Sequence, residues 1–251
     1  MEDCGGLAAC MRGVWKRLGG RDVLKGVTLS VEKGSVHVVA GLNGSGKTTS
    51  MRVLLGLYKP DRGVVRLLGR DPRGPGRGEL MRRVGYVPED AQPYERLTGL
   101  ENLLFYARLY AESEEEAWRL VEEAAKITGL DWSVLERQRA GSYSKGMKRR
   151  LLLAAALMHS PDLLVADEPL SGLDAISAFN IKRLITRLAG RGSTFIITTH
   201  DLRVAEELAD RVTFIHAGKT VFEGAVRDAL DSFSADTLEE AFVRAVGGGK
   251  G

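Results

Sequence analysis

Short apolar runs alternate with stretches of helical periodicity along most of the chain. The runs at residues 36–40, 163–166 and 195–199 are bounded by polar or glycine-rich segments, as expected for buried strands. A glycine-rich turn follows the first run, and a helix is predicted from about Lys47 to Leu55. Strands that alternate with helices in this way predict an α/β fold whose mainly parallel sheet is covered on both faces.

Two further β-type patterns add antiparallel elements to this sheet. Residues 212–216 and 220–222 are largely apolar and flank a short turn at residues 217–219, which predicts a closing hairpin. Residues 27–31 alternate between apolar and polar positions, so one face of this strand is expected to be buried. We therefore expect an added antiparallel β layer near the N-terminus.

The middle of the chain has a helical rather than a strand-like pattern. From about residue 95 onwards, acidic and apolar residues recur at helical spacing, and Thr98 and Glu101 have the spacing of a capping box. This pattern predicts a helical subdomain at about residues 90–160, inserted in the α/β core.

The two ends of the chain have compositions that differ from the rest. Residues 1–11 are rich in glycine and alanine, and residues 247–251 are almost entirely glycine. We predict a flexible N-terminal tail over residues 1–11, one domain over residues 12–246 and a disordered tail over residues 247–251.

Composition and charge narrow the possible functions. The chain has 251 residues, of which 44% are hydrophobic and 27% charged, and its formal net charge of +3 is too small to predict a nucleic-acid partner. Cys4 and Cys10 have no neighbouring histidine, so we interpret them as thiols in a reducing compartment rather than as a disulfide or zinc site. The longest apolar run, residues 151–158, is too short to cross a bilayer. We therefore expect a chain without a membrane span of its own.

A phosphate-binding motif follows the first predicted strand. Residues 41–48 match the pattern G-x-x-x-x-G-K-[ST] without a mismatch. The glycines allow successive backbone N–H groups to point at one phosphate, and the following helix adds its positive end. Lys47 is expected to reach the β- and γ-phosphates, and the Thr48 hydroxyl to bind Mg²⁺. The alternative is a plain glycine-rich turn. The predicted nucleotide contacts here are Gly41, Leu42, Asn43, Gly44, Ser45, Gly46, Lys47, Thr48 and Thr49.

Two adjacent acids end the apolar run at residues 163–166. Asp167 is similar to the acid of a P-loop ATPase that helps to hold Mg²⁺, and Glu168 could polarise a water molecule for attack on the γ-phosphate. Two carboxylates at the end of a buried strand need either a cation or exposure to solvent, because an unpaired buried charge is costly. The alternative is that both acids lie at an exposed strand end.

The segment at residues 142–147 resembles the signature motif of a known protein family. It precedes an apolar helix, and Ser144 and Gly146 match two positions of the Leu-Ser-Gly-Gly-Gln signature of the ATP-binding cassette family. The phosphate loop, this signature, the acid pair, residues 171–174 and His200 follow one another in the order that this family has. The resemblance covers about residues 12–225 and is strongest to the exporter-type branch.

The resemblance implies a role for each motif. Ser144 and Gly146 would close over the γ-phosphate held by the phosphate loop of a second copy, and residues 171–174 would connect the two sites. His200 would hold the γ-phosphate and orient Glu168, so Lys47, Glu168 and His200 are the predicted catalytic residues. The remaining histidines lie outside the motifs and are interpreted as structural: His37, His159 and His216.

Two departures from the family pattern affect the expected chemistry. Glu89 stands where the family usually has Gln, and a carboxylate there suits Mg²⁺, so the predicted metal ligands are Thr48, Glu89 and Asp167. The alternative for Glu89 is a simple loop acid.

The family's adenine-stacking aromatic is replaced by Leu18, with Trp15 expected on the opposite face of the strand. Apparent affinities for ATP and GTP within about tenfold are therefore expected.

The resemblance also implies a biological setting. The chain would hydrolyse ATP as a homodimer on the cytoplasmic face of a membrane and power a separate transmembrane permease, with export favoured over import. The permease is expected to dock near residues 89–110, whose aromatic residues would otherwise belong to the core. A soluble cassette ATPase acting on a non-transport complex is the first alternative, and a P-loop GTPase or kinase is a more distant one.

Overall fold

The computed structural model describes residues 4–247, and residues 1–3 and 248–251 lie outside the described part. Nine strands, ten α-helices and a short 3-10 helix (Ala140–Ser142) lie within it. The strands are β1 (Ala9–Leu18), β2 (Arg21–Val31), β3 (Val36–Ala40), β4 (Arg62–Leu67), β5 (Val84–Val87), β6 (Leu163–Asp167), β7 (Thr194–Thr199), β8 (Arg211–His216) and β9 (Lys219–Ala225). The helices are α1 (Lys47–Leu54), α2 (Arg77–Met81), α3 (Gly99–Ala107), α4 (Glu114–Thr128), α5 (Trp132–Arg137), α6 (Lys145–Leu157), α7 (Ala175–Ala189), α8 (Leu202–Leu208), α9 (Val226–Ser232) and α10 (Leu238–Gly247).

The centre of the fold is a six-stranded sheet in the order β5-β6-β7-β3-β8-β9. Neighbouring strands from β5 to β8 are parallel, and only β9 runs antiparallel to β8. Every residue of β3, β6 and β7 is buried, as expected for strands covered on both faces. The predicted parallel sheet with a closing hairpin is confirmed.

A second sheet of three antiparallel strands, in the order β2-β1-β4, forms the predicted β layer. It is joined to the edge of the main sheet by hydrogen bonds between β2 and β9. The Thr220 hydroxyl accepts from the Thr28 N–H at 3.1 Å and donates to the Thr28 carbonyl at 2.8 Å, and Glu223 accepts from the Ser30 N–H. These bonds couple the sheets at a strand edge that would otherwise be unpaired.

The flexible tail predicted for residues 1–11 is wrong for residues 8–11. These residues are fully or almost fully buried, and Ala9–Met11 pair with both neighbouring strands of β1. Ala8, Ala9 and Met11 belong to the same apolar core cluster as Met51 and Leu54 of α1, which a glycine-rich composition did not indicate. Residues 1–3 lie outside the described residues. At the other end, Gly247 closes α10, and the predicted disordered residues 248–251 also lie outside them.

Cys4 and Cys10 form a disulfide in the structure, so their interpretation as free thiols is wrong. The bond joins the residues before β1 to the strand itself. The number of cysteines does not predict this bond, because it depends on how the backbone between Cys4 and Cys10 folds back onto the strand.

Helices α3 to α6 form a subdomain with its own apolar core, which confirms the predicted helical insertion. Leu103, Val121, Leu135 and Leu151 are buried in that core. The Thr98 hydroxyl accepts from the Glu101 N–H at 3.1 Å, and the Glu101 carboxylate accepts from the Thr98 N–H at 2.7 Å, so the predicted capping box begins α3. None of the helices within residues 4–247 combines the length and apolar character that crossing a bilayer requires.

Candidate functional site

The three central strands bring the predicted chemical groups to one edge of the sheet. β6, β7 and β3 are adjacent and parallel, so their carboxyl ends meet. Gly41 follows β3, Glu168 follows β6 and His200 follows β7. Ligands of open α/β sheets bind at this edge, which makes it the first place to look for a site.

The loop between β3 and α1 has a conformation that depends on its glycines. A Cβ on Gly41 would lie 2.2 Å from the Ile215 carbonyl oxygen, so no side chain fits there. Gly46, immediately before α1, has a φ of 112°, and a Cβ on it would lie 2.9 Å from the Leu24 side chain. The loop therefore curls tightly against the sheet edge and exposes Asn43 and Gly44 to solvent.

Lys47 is the central cation of this loop. Its ammonium donates to the Gly41 carbonyl at 2.8 Å and to the Leu42 carbonyl at 3.3 Å. The same nitrogen lies 3.3 Å from Oε1 of Glu168, and both side chains are buried. The lysine and the glutamate are therefore held together at the mouth of the loop, although 121 residues separate them in sequence.

Glu168 has an unusual backbone conformation that aims its side chain at the loop. Its φ is 49°, a left-handed conformation that non-glycine residues rarely adopt. Its N–H is fixed by the Thr198 hydroxyl at 2.9 Å and the Thr198 carbonyl at 3.2 Å. Strain of this kind persists only where surrounding contacts impose it, and it is typical of functional positions.

The Glu168 carboxylate lies between two nitrogen groups. Oε2 lies 3.0 Å from Nδ1 of His200, while Oε1 forms the ion pair with Lys47. Among the described residues, Oε1 has no partner with hydrogen-bond geometry, so it remains able to accept a proton from a further donor. His200 is much more exposed than Glu168 and can therefore contact both the carboxylate and a bound ligand.

Asp167 is fully buried at the end of β6. Its Oδ1 accepts a hydrogen bond from the Thr198 hydroxyl, whereas Oδ2 is buried without a hydrogen-bond partner among the described residues. A buried carboxylate oxygen left without a partner is costly, so this atom suits a cation or a cation-bound water. The alternative interpretation of the acid pair as an exposed strand end is wrong, because both acids are buried.

A cavity of about 260 Å³ opens beside Lys47 and Glu168, and neither Asp167 nor His200 is among the described residues that line it. It is lined by loop residues that the motif predicted, namely Asn43, Gly44, Gly46, Lys47, Thr48 and Thr49, together with Val23, Glu89 and Glu168. The structure thus places Thr48 and Glu89 at one cavity. Trp15 and Leu18 are not among the described residues that line it, and Val23 is the apolar side chain that does.

The signature residues lie apart from this cavity in the single chain. Ser144 caps α6 by accepting from the Met147 N–H at 3.2 Å. A Cβ on Gly146 would lie 2.0 Å from the Ser177 hydroxyl, so the glycine permits close packing of α6 against the start of α7. Neither Ser144 nor Gly146 lines the described cavity, so one chain does not join the signature to its own phosphate loop.

Arg149 and Thr198 are site residues that the sequence analysis missed. Arg149 lies on α6 and donates to the carbonyls of Pro88 at 3.3 Å and Glu89 at 3.2 Å. Burial lowers the pKa of the Arg149 guanidinium, and the negative charges of nearby acids, Glu89 foremost, oppose that change. A buried cation in the apolar part of α6 was a sequence signal, but the adjacent Lys148 and Arg150 concealed it.

Comparisons with known proteins agree with this geometry. The family model described as ABC transporter matches residues 24–171. The Nod factor export ATP-binding protein I of Burkholderia lata is 38% identical over 91% of this chain and 74% of its own length. The ATP-binding protein NatA of Bacillus subtilis is 32% identical over 88% of this chain and 89% of its own length.

Solved structures show the same fold. An ATP-binding subunit of an ABC transporter superposes with a TM-score of 0.83 at 28% identity, covering 95% of this chain and 99% of that one. The dimeric cassette MJ0796, in a post-hydrolysis state bound to ADP and Pi, has a TM-score of 0.76 at 26% identity and covers 86% of this chain and 98% of that one. With a phosphate loop, a buried acid pair and a histidine converging at one sheet edge, this chain belongs to the ABC transporter family and is one of its ATP-binding, ATP-hydrolysing subunits.

Proposed function

We propose that two copies of this chain close around two ATP molecules and so power a separate transmembrane permease. In each composite site, the loop of residues 41–48 holds the phosphates, and Ser144 and Gly146 of the other copy cover the γ-phosphate. The separation of the signature from the cavity in one chain supports this arrangement. So does the position of Ser144 at the N-terminus of α6, where backbone N–H groups favour an anion.

Glu168 is the proposed general base. The observation that carries this role is the placement of one buried carboxylate between Lys47 and His200, with Oε1 still able to accept a proton. A water molecule beside Oε1 would transfer its proton there as its oxygen attacks the γ-phosphorus, and the bond from this phosphorus to the β–γ bridging oxygen would break to release ADP. General-base assistance of this kind typically contributes ~10²–10⁴ in rate. His200 orients the carboxylate and contacts the terminal phosphate.

Thr48, Glu89 and Asp167 are the proposed ligands of Mg²⁺, directly or through water. The partnerless Oδ2 of buried Asp167 fits a cation, and oxygen donors are what this metal prefers. When bound, Mg²⁺ would neutralise charge on the β- and γ-phosphates. Thr198 keeps the Asp167 carboxylate oriented, and Arg149 holds the backbone on either side of Glu89.

A groove beside the site is the proposed permease contact. It has a volume of about 220 Å³, and its lining includes Pro88, Gln92, Tyr106, Tyr110 and His159. The His159 ring stacks on Tyr110 with centroids 4.1 Å apart, and both belong to the helical subdomain or its junction with the core. Pro88 of the groove is adjacent in sequence to Glu89, which lines the nucleotide cavity. A permease helix bound in the groove, on the cytoplasmic face of the membrane, would therefore respond to changes at the nucleotide.

The aromatic residues predicted near this docking region are either exposed or half-buried. Tyr94 and Phe105 are 48% and 42% exposed and contact each other with centroids 5.0 Å apart, so the core interpretation is wrong for these two. Their exposure supports a contact surface next to the groove.

Export is the proposed direction of transport. The relatives include proteins named for export of Nod factor and of fluoroquinolones and for bacitracin transport, and their varied cargoes match a role in which the cassette contacts only ATP and its partners.

We also propose weak selection of the base, because Val23 rather than an aromatic ring lines the cavity. ATP and GTP should then compete with affinities within about tenfold.

The test of this function is the variant Glu168→Gln, with Glu116→Gln as a surface control. Glu168→Gln should bind ATP with the parent affinity, lose turnover and accumulate an ATP-dependent dimer in size-exclusion chromatography. Lys47→Ala should fail to bind or hydrolyse ATP. Hydrolysis by Glu168→Gln at the parent rate would show that Glu168 is not the base.

A second experiment separates transport from a soluble role. The chain is purified from detergent-solubilised membranes with its partners, and a polytopic membrane protein should accompany it. Co-purification with a soluble complex alone would favour a cassette ATPase that acts outside transport.

A further inference from the structure

A large basic cleft lies between the helical subdomain and the core, away from the nucleotide cavity. Its volume is about 710 Å³, and its walls are the end of α4, the residue Arg150 of α6, the exposed face of α7 and the end of α8. None of its lining residues lines the nucleotide cavity. The size falls within the ~300–1,000 Å³ that small-molecule sites usually occupy.

The cleft has an excess of positive charge that the fold does not neutralise. Lys182 and Glu207 form an ion pair across one wall. The other charged lining residues are all cations, and no ion pair to any of them occurs within residues 4–247: Lys126, Arg150, Arg183 and Arg187. Four cations that share one concave surface repel each other. Binding of an anion there relieves this repulsion and is therefore electrostatically favourable.

Two of these arginines are held in place while keeping most of their donors. Arg187 donates to the Ile127 carbonyl, and Arg150 donates at 3.5 Å to the Gly129 carbonyl, both at the end of α4. A guanidinium carries five N–H donors. The buried Nε of Arg150 has no hydrogen-bond partner among the described residues. The backbone contacts therefore position the two guanidinium groups without saturating them.

An aromatic ring lies beside the cations. Phe179 is 55% exposed, and the Arg183 guanidinium carbon lies 5.7 Å from the centroid of its ring. An exposed phenylalanine next to several cations offers stacking surface to a planar group whose charged part is bound by the arginines.

We propose that this cleft binds a ligand that carries several phosphate groups. Planar guanidinium groups bind phosphate oxygens in pairs, and a lysine adds a further point charge, which matches a polyphosphate better than a single carboxylate. A concave site of this volume also favours a small molecule over an acidic protein segment, because protein interfaces spread over ~800 Å² per partner.

The cleft is lined by both the helical subdomain and the α/β core, so a bound ligand would connect the two. Lys126 and Arg150 belong to the helical subdomain, whereas Arg183 and Arg187 belong to α7 of the core. A polyanion bound to both pairs would hold the two parts in their present relation. The site is independent of the proposed transport role.

The test measures binding of inorganic tripolyphosphate by calorimetry to full-length chain carrying Lys47→Ala, which disables the phosphate loop. The double variant Lys126→Gln/Arg183→Gln is compared with Lys33→Gln/Arg227→Gln, which removes two exposed cations outside the cleft. We expect the cleft variant to bind at least tenfold more weakly, the control to bind as the parent does, and the parent affinity to fall with added salt. Melting temperatures of both variants check folding.

Further arms distinguish the possible ligands. Tighter binding of ADP than of pyrophosphate, lost in Phe179→Ala, identifies a nucleotide, and equal binding identifies the phosphate groups alone; both results support the proposal. Equal tripolyphosphate affinity in the two double variants overturns it, as does an absence of binding by the parent. Preferential binding of an oligoglutamate peptide that depends on Lys126 and Arg183 also overturns it, because the site would then be a protein contact.

Discussion

The Thr198 hydroxyl joins the two site acids, and its removal should be unusually costly. It donates to Asp167 Oδ1 and accepts from the Glu168 N–H at 2.9 Å, and Thr198 itself is fully buried. Thr198→Val keeps the shape of the side chain and its preference for a strand. The substitution therefore tests these hydrogen bonds and not the packing.

The expected loss of stability depends on which hydrogen bonds the two acids keep in Thr198→Val. Glu168 N–H keeps the Thr198 carbonyl at 3.2 Å, so this part of the loss is small. Asp167 loses the partner of Oδ1 while Oδ2 already has none among the described residues, so a buried carboxylate is left unpaired. Hydrogen bonds to charged groups contribute about 1.5–3 kcal/mol, and together the losses should lower the free energy of unfolding by about 2–4 kcal/mol.

Thr194→Val is the matched control on the same strand. Thr194 is also buried, and its hydroxyl accepts one neutral hydrogen bond, from the Gly34 N–H at 3.0 Å. This control should cost about 0.5–1.5 kcal/mol. Urea unfolding, monitored by far-UV circular dichroism, gives both values, and the Mg²⁺ dependence of ATP hydrolysis reports on the orientation of Asp167.

The two variants must differ clearly for the reasoning to hold. If Thr198→Val costs no more than Thr194→Val, the Asp167 carboxylate is not dependent on this hydroxyl. An unchanged Mg²⁺ dependence in Thr198→Val would separately contradict its role in orienting the acid.

Three further predictions concern the loop, a buried histidine and the disulfide. Gly41→Ala should weaken ATP binding at least tenfold in a fluorescence titration, because its Cβ would lie 2.2 Å from the Ile215 carbonyl oxygen; parent affinity would contradict this. Burial, with a smaller contribution from a nearby arginine, lowers the pKa of His37 to about 3. The unfolded chain therefore takes up this proton first as the pH falls below about 6.5, and stability should decline by up to about 1.4 kcal/mol per pH unit. His37→Gln should show a shallower decline in urea unfolding between pH 6.5 and 4, and equal slopes would refute the assignment. Reductant should lower the melting temperature of the parent by several degrees, since the Cys4–Cys10 loop contributes about 2 kcal/mol, and should leave Cys4→Ser unchanged; equal sensitivity would refute it.

The parallel core could be predicted because its signals are local. Each buried strand is a short apolar run, and the helix after the phosphate loop begins at Lys47 as the motif requires. The pairing of Thr198 with Asp167 could not be predicted, because it depends on which strands are neighbours and in what register. A threonine in an apolar strand has no local mark that separates a site residue from a packing residue.

The site was predicted less evenly than the fold. Lys47, Thr48, Glu89 and Glu168 do meet at one cavity, as their motifs indicated. The burial of residues 8–11 and the disulfide were missed because glycine-rich composition describes backbone freedom and not tertiary contacts. The basic cleft was missed for a similar reason, since its cations come from three helices and form no run in the sequence.

The close packing of Gly146 on Ser177 has a mechanical consequence. The Asp174 carboxylate accepts from both the N–H and the hydroxyl of Ser177, at 2.9 and 2.7 Å, so the glycine at one helix start is pressed against the cap of another. A displacement of α6 at this end would press on Ser177 and, through the hydrogen bonds of Ser177 to Asp174, on residues 171–174. In the proposed dimer, the opening of one nucleotide site would therefore be transmitted to the other site through the contact between Gly146 and Ser177.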